Sequence, residues 1–282
     1  MQVFYTGAEW QKNWLHALQS HKIIGFVPTM GALHEGHLDL IRNSKKSSDI
    51  TVVSIFVNPI QFNNQEDFDK YPVLIQQDLK LLEKENVDFV FMPKLETMYP
   101  EKPSISIQFG ELETILEGEF RPGHFSGVGI IVSKLFHIIR PHQAFFGQKD
   151  LQQVAVIKRL VADLSFPVEI ITVPTRREED GLALSSRNLR LNSEERAKSL
   201  ILYKSLCSAK NELLEGTNWL EVRNQIQQRF EEEPLAKLEY FELVETEKFT
   251  VMNSFDSSQK ASICVAAYIG NIRLIDNLPI NP

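Results

Sequence analysis

The chain has 282 residues, 43% of them hydrophobic and 24% charged, enough apolar material for one large domain or a large one with a smaller partner. Lysine and arginine number 30 against 37 acidic residues, a net charge of −7, which argues against a general nucleic-acid binder and leaves room for a small anionic substrate held by a few cations. Two cysteines, Cys207 and Cys264, are too few for a disulfide framework or a zinc ribbon and read as reduced thiols. The opening MQVFYTGAEW lacks the pattern of a signal peptide, and the apolar stretch ICVAAYIG is too short to cross a bilayer, so a soluble, cytoplasmic protein is expected.

In chain order, residues 23–27 (IIGFV) are a short apolar run ending at Pro28, as a buried strand does. A helical pattern starts near Glu35, and TVVSIFV (51–57) follows as a β-branched strand. Strand, helix and strand at this spacing make a βαβ unit with parallel pairing. A helix near 74–86 and a strand at 87–91 repeat the pattern, and SISIQF (104–109) is predicted as a shorter strand. A buried helix over FSGVGIIVSKLFHII, a strand at 143–146, a helix from Asp150 to about Leu164 and a strand at 168–173 complete the alternation. Residues 1–175 therefore read as an α/β, Rossmann-like, doubly wound parallel sheet. The remainder, 176–282, reads as a smaller C-terminal α+β domain. It has one long helix from Ser193 as N-cap without a capping box, a second helix over roughly 218–232, and three strands with a hairpin at Gly270-Asn271.

The chemistry concentrates where doubly wound sheets bind ligands, at the carboxyl ends of strands. The first such strand delivers PTMGALHEGH (28–37). Gly31 and Gly36 allow backbone to approach a ligand, and the following helix start favours phosphate. His34 and His37, three apart, can face one ligand and donate hydrogen bonds to a reacting phosphate. A zinc pair is disfavoured because HEGH lacks the HExxH spacing, and the G-x-G-x-x-G of dinucleotide enzymes is absent. After the next strand, FVNPIQF places Asn58 and Gln61, neutral amides suited to the hydroxyl and carboxylate groups of a small polar acid. GQKD (147–150) adds Gly147 for close approach and Lys149 as a point charge for phosphate. Asp150 there can cap a helix or touch ligand, with equal weight, and Gln153 lies one turn on. At the junction with the smaller domain, LSSR (184–187) offers two hydroxyls and a guanidinium as a clamp for triphosphate or pyrophosphate, on a loop able to close over nucleotide.

These segments, with EGEFRPGHFSGV (117–128), KLFHIIRP, DGLALSSRN and RLIDN, resemble the pantoate–β-alanine ligase family, within the wider H-x-G-H group of nucleotidyl transferases and class I aminoacyl-tRNA synthetases. The resemblance implies an ATP-dependent ligase that joins pantoate to β-alanine through a pantoyl adenylate, releasing pyrophosphate and AMP. It implies Mg²⁺ accompanying ATP and a homodimer formed through the larger domain; no tightly bound organic cofactor and no protein-held metal are expected, and charge and hydropathy leave no nucleic-acid or membrane partner expected. It assigns ATP contacts to Met30, Gly31, Ala32, Leu33, His34, Glu35, Gly36, His37, Gly147, Gln148, Lys149, Asp150, Arg176, Leu184, Ser185, Ser186 and Arg187. Pantoate falls to Gln61 and Gln153, with Gln61 bordering the β-alanine site, and His37 is given a proton-donor role. His37, His34 and Lys149 are the catalytic set. The chain departs from the family pattern at Val73, where relatives often carry arginine, and at Gln77, which precedes Asp78 where an acidic pair is common. Arg176 also departs, standing where a small apolar residue lends backbone contacts to adenine. Asp78 is a candidate for water-mediated support of Mg²⁺ and is left out of the ligand set.

The competing readings are another H-x-G-H nucleotidyl transferase, acting on a small acid or a phosphate, and a non-catalytic nucleotide sensor. The first would need further cations near FVNPIQF if its second substrate carried phosphate, and none is there. The second has no need of both histidines, Lys149 and the LSSR clamp together.

Overall fold

A computed structural model describes residues 1–281. Its contacts divide into two compact units, Met1–Gly147 with Val156–Pro174, and Gln148–Ala155 with Thr175–Pro282.

The first unit is built on six parallel strands: β1 (Gln2–Phe4), β2 (Ile24–Thr29), β3 (Ile50–Ile55), β4 (Phe89–Phe91), β5 (Gln143–Gly147) and β6 (Glu169–Val173). Their order is β1-β4-β3-β2-β5-β6, so the chain winds outward in one direction after β2 and in the other after β5. That reversal between β2 and β5 opens the crevice at the carboxyl ends of the central strands. β2 and β3 are buried along most of their length, as strands covered on both faces must be. Contact is closest at Gly25, where a Cβ would lie 2.3 Å from the hydroxyl oxygens of both Ser44 and Ser48. The helix Glu35–Ser47 thus sits directly on β2, with Leu38, Leu40, Ile41 and Ser44 buried on its inner side.

The edge strand β1 and the helix Gly7–Gln19 are additions to the elements expected from sequence. Thr6 and Glu9 cap that helix reciprocally, each accepting from the other's backbone N–H at 3.3 Å. Trp10 anchors it, stacking on Phe4 and donating Nε1–H to the Ile139 carbonyl at 3.0 Å. SISIQF is not a strand. The Ile107 N–H donates to the Ser126 hydroxyl at 3.2 Å, and a Cβ on Gly129 would meet the Phe109 ring at 2.8 Å. The helix His124–Ile139 holds this segment in place of a sheet edge.

The second unit carries β7 (Ala236–Glu245), β8 (Ala261–Ile269) and β9 (Ile272–Pro279) as an antiparallel sheet. Gly270 takes φ +56° in the two-residue turn joining β8 to β9. The helices Leu200–Leu214 and Trp219–Glu231 share its core, through Leu206, Val222, Ile226 and Phe230 against Phe241, Ile263 and Val265. The long helix expected from Ser193 is two helices, Ser193–Lys198 and Leu200–Leu214. Its cap is Asn192, one residue earlier, and Glu195 completes the capping box that a cap at Ser193 would lack.

Candidate active site

After β2 the backbone turns sharply. Gly31 has φ +83° and Ala32 φ +49°, a left-handed conformation that costs a non-glycine residue roughly 1–2 kcal/mol. Asp78, on the helix Ile75–Lys84 and 1% exposed, holds the turn. Its two carboxylate oxygens accept the backbone N–H groups of Ala32 and Leu33 at 2.9 and 2.8 Å. Hydrogen bonds to a charged group contribute about 1.5–3 kcal/mol each, so the pair outweighs the backbone cost. Both oxygens face the loop's amides, and the geometry gives Asp78 a brace's role toward the loop.

The turn delivers two imidazoles to the helix start. His34 is the N-cap of Glu35–Ser47, its Nδ1 accepting the Gly36 N–H at 3.2 Å, while His37 Nδ1 accepts the His34 N–H at 3.3 Å. The rings lie 4.1 Å apart between centroids. With each Nδ1 an acceptor, Nε2 carries the hydrogen of each neutral ring, and both present a donor beside the helix's positive end. Glu35 turns the other way, pairing with Arg42 at 2.8 Å.

The amide pair after β3 is buried. Asn58 is 1% exposed and Gln61 8%. Asn58 Nδ2 donates to the Gly127 carbonyl at 3.2 Å and to Gln61 Oε1 at 3.0 Å, and Tyr99 donates its hydroxyl to Asn58 Oδ1 at 2.8 Å. Gln61 Nε2 meets the Met30 sulfur at 3.1 Å, which ties this cluster to the histidine loop. A Cβ on Gly127 would stand 2.5 Å from the Ile60 carbonyl oxygen and 2.7 Å from Gln61 Cα. Only glycine lets the helix His124–Ile139 approach the Pro59–Gln61 turn this closely.

In the second unit, the turn Gln148–Asp150 is held by Asn277 of β9, whose Nδ2 donates to the carbonyls of Gln148 and Lys149 at 2.8 and 2.9 Å. Lys149 Nζ lies 3.9 Å from the carboxylate of Asp150, and Gln153 follows on the helix Leu151–Asp163. Next to Asn277, Asp276 receives both arms of Arg177 at 2.6 and 2.9 Å. Arg177 also donates to the Gly181 and Asn277 carbonyls and stacks over the Tyr203 ring at 4.4 Å. The Leu184 N–H donates to the Arg176 carbonyl at 3.0 Å, so the LSSR run and Arg176 are joined through backbone. Ser185 caps the turn Ser186–Arg190 by accepting the Arg187 N–H at 3.3 Å. Among the described residues, no group of three or more His, Cys, Asp or Glu could hold a metal, and no helix is long and apolar enough to cross a membrane.

The family described as Pantoate-beta-alanine ligase matches residues 2–279. The chain belongs to the pantoate–β-alanine ligase family. A pantothenate synthetase from Thermoanaerobacter sp. (strain X514) is 53% identical over 260 residues, covering 92% of this chain and 91% of its own. The crystal structure of pantothenate synthetase from Thermus thermophilus superimposes with a TM-score of 0.92 at 40% identity, over all of both chains. The pantoate–β-alanine ligase of Francisella tularensis, described as complexed with β-γ ATP and β-alanine, superimposes with a TM-score of 0.81 at 37% identity, over 99% and 98%. As a pantoate–β-alanine ligase, the enzyme condenses pantoate with β-alanine using ATP.

Three residues that hold the predicted site segments are not evident from sequence: in the first unit Asp78 as a loop brace and Tyr99 behind Asn58, and in the second unit Asn277 under the Lys149 turn. RLIDN belongs to the pattern that carries the resemblance, and it is the available signal for Asn277. A lone tyrosine after Met98 offers none.

Proposed function

We propose that the reaction runs in two steps on Mg-ATP. The pantoate carboxylate attacks the α-phosphorus and expels pyrophosphate, giving a pantoyl adenylate. The β-alanine amine then attacks the acyl carbon of that mixed anhydride, loses a proton, and expels AMP as pantothenate forms. No side chain becomes covalently attached, and the protein contributes orientation and charge stabilisation.

The observation that carries this reading is the pair of Nδ1 acceptor bonds at His34 and His37. With each Nδ1 accepting a backbone N–H, the hydrogen of each neutral ring sits on Nε2, a donor of the kind that a transferring phosphate requires. His37 is the proton donor of the pair in this reading. ATP lies along Met30 to His37, Gly147 to Asp150 and Leu184 to Arg187, with Arg176 offering its backbone to adenine. Lys149 and Arg187 supply cationic charge toward the phosphates, and Mg²⁺ enters as part of the nucleotide substrate. Gln61 and Gln153 bind pantoate, and Gln61 borders β-alanine. A homodimer carries over from the family resemblance.

The test is exchange of labelled pyrophosphate into ATP. Exchange is expected with pantoate alone, and AMP release only once β-alanine is added. Exchange that needs β-alanine, or no exchange in protein that makes pantothenate, would overturn the adenylate route.

A further inference from the structure

The polarity of the buried amide cluster can be traced from a group that cannot be inverted. The Gly127 carbonyl only accepts, so the end of Asn58 that faces it at 3.2 Å must be the NH₂. Turning Asn58 over would set oxygen against oxygen. The second hydrogen of that NH₂ goes to Gln61, which must therefore show Oε1 to Asn58 at 3.0 Å. Asn58 Oδ1 is left facing Tyr99, whose hydroxyl donates at 2.8 Å. Burial pushes the Tyr99 phenol above its ordinary value, which keeps that hydroxyl protonated and donating. Asn58, 1% exposed and with both hydrogens committed, is poorly placed to read a ligand itself. Gln61 Nε2, by contrast, is turned away from the cluster onto a thioether at 3.1 Å, a weak acceptor that an oxygen would outcompete.

We propose that Tyr99 is a positioning residue that acts through Asn58 to hold the Gln61 amide with its NH₂ toward the acid substrate, so that this position selects an oxygen acceptor. This rests on the reading of Gln61 as a pantoate contact. A freely rotating glutamine would offer Oε1 or NH₂ with similar ease and would accept a donor group there as well. The relay removes the first choice. Tyr99→Phe keeps the ring and its packing and takes away one donor, leaving a buried acceptor on Asn58 that can be satisfied only by rotating out of line.

The test is a double-mutant cycle on the full-length enzyme. Tyr99→Phe is expected to raise the KM for pantoate on the order of 10-fold, the scale of one buried hydrogen bond, with the KM for ATP unchanged. Gln61→Ala should raise the pantoate KM at least as far, and adding Tyr99→Phe to it should change nothing more, because the relay then has no end. An undiminished Tyr99→Phe effect in the Gln61→Ala background, or a rise in both KM values alike, makes Tyr99 merely structural and overturns the relay. A normal Tyr99→Phe beside a damaged Gln61→Ala also overturns the relay and leaves Gln61 as a pantoate contact. A silent Gln61→Ala overturns that contact itself. If Tyr99→Phe does not fold, Asn58→Asp, isosteric but unable to donate to Gln61, enters the same cycle with the same expected outcomes.

Discussion

Asp78 accepts the backbone N–H of Ala32 with one carboxylate oxygen and that of Leu33 with the other, at 2.9 and 2.8 Å. The histidine loop is therefore held in shape by the helix Ile75–Lys84. Asp78→Asn keeps the shape but sets an NH₂ against one of those amides. The expected cost is ~1–3 kcal/mol, from a buried backbone donor left facing another donor. The thermal midpoint should fall and the KM for ATP rise together. A variant with wild-type midpoint and ATP KM would show that the loop holds itself.

Asn277 performs a similar service for the lysine turn, donating to the carbonyls of both Gln148 and Lys149. Asn277→Asp is nearly isosteric and replaces those donors with negative oxygens facing two carbonyls. The expected result is a loss in kcat/KM for ATP on the order of 10-fold or more, since displacement of a charge-stabilising group commonly costs that much. Steady-state kinetics at varied ATP checks it, and unchanged kinetics would remove Asn277 from the positioning of Lys149.

Gly127→Ala puts a methyl group 2.5 Å from the Ile60 carbonyl oxygen and 2.8 Å from the Gln61 amide nitrogen. Backbone atoms cannot swing aside as a side-chain end can. Overpacking of this kind costs about 1–3 kcal/mol, and here the displaced atoms carry Gln61. Lower stability with a raised pantoate KM is expected, by calorimetry and kinetics. A stable variant with normal pantoate KM would mean that the turn tolerates the shift.

His37→Ala and Lys149→Ala should each lower the rate of adenylate formation on the order of 10²-fold or more, as removal of a transition-state donor does. Pre-steady-state pyrophosphate release is the measurement. Rates near wild type in both would take these two side chains out of the phosphate chemistry.

The parts of this enzyme legible in sequence are those where one local run carries the whole signal. IIGFV ending at Pro28, then PTMGALHEGH, shows a strand, a turn and a helix start within a few residues, and all three are present. The capping box at Asn192 is readable in principle, but a start placed at Ser193 hides it by one position. Asn58 shows the deeper limit. An exposed-looking amide after a strand reads as a ligand group, and what makes it an internal strut lies 41 positions away at Tyr99 and 69 away at Gly127. Asp78 likewise acts on residues 45 and 46 positions back, and nothing in its local sequence shows that it braces the loop's amides. SISIQF misleads for a related reason, since its alternation matches a strand while its partners lie on a helix.

His34 both begins the helix Glu35–Ser47 and turns an imidazole toward the reacting phosphate in the proposed mechanism. A change at this position is thus screened twice, once as the chain folds and again at turnover. Alanine fails on both counts and so reports neither cleanly. Asparagine, a good N-cap with no imidazole, isolates the second. Mutational routes through position 34 are narrow because two unrelated demands meet on one side chain.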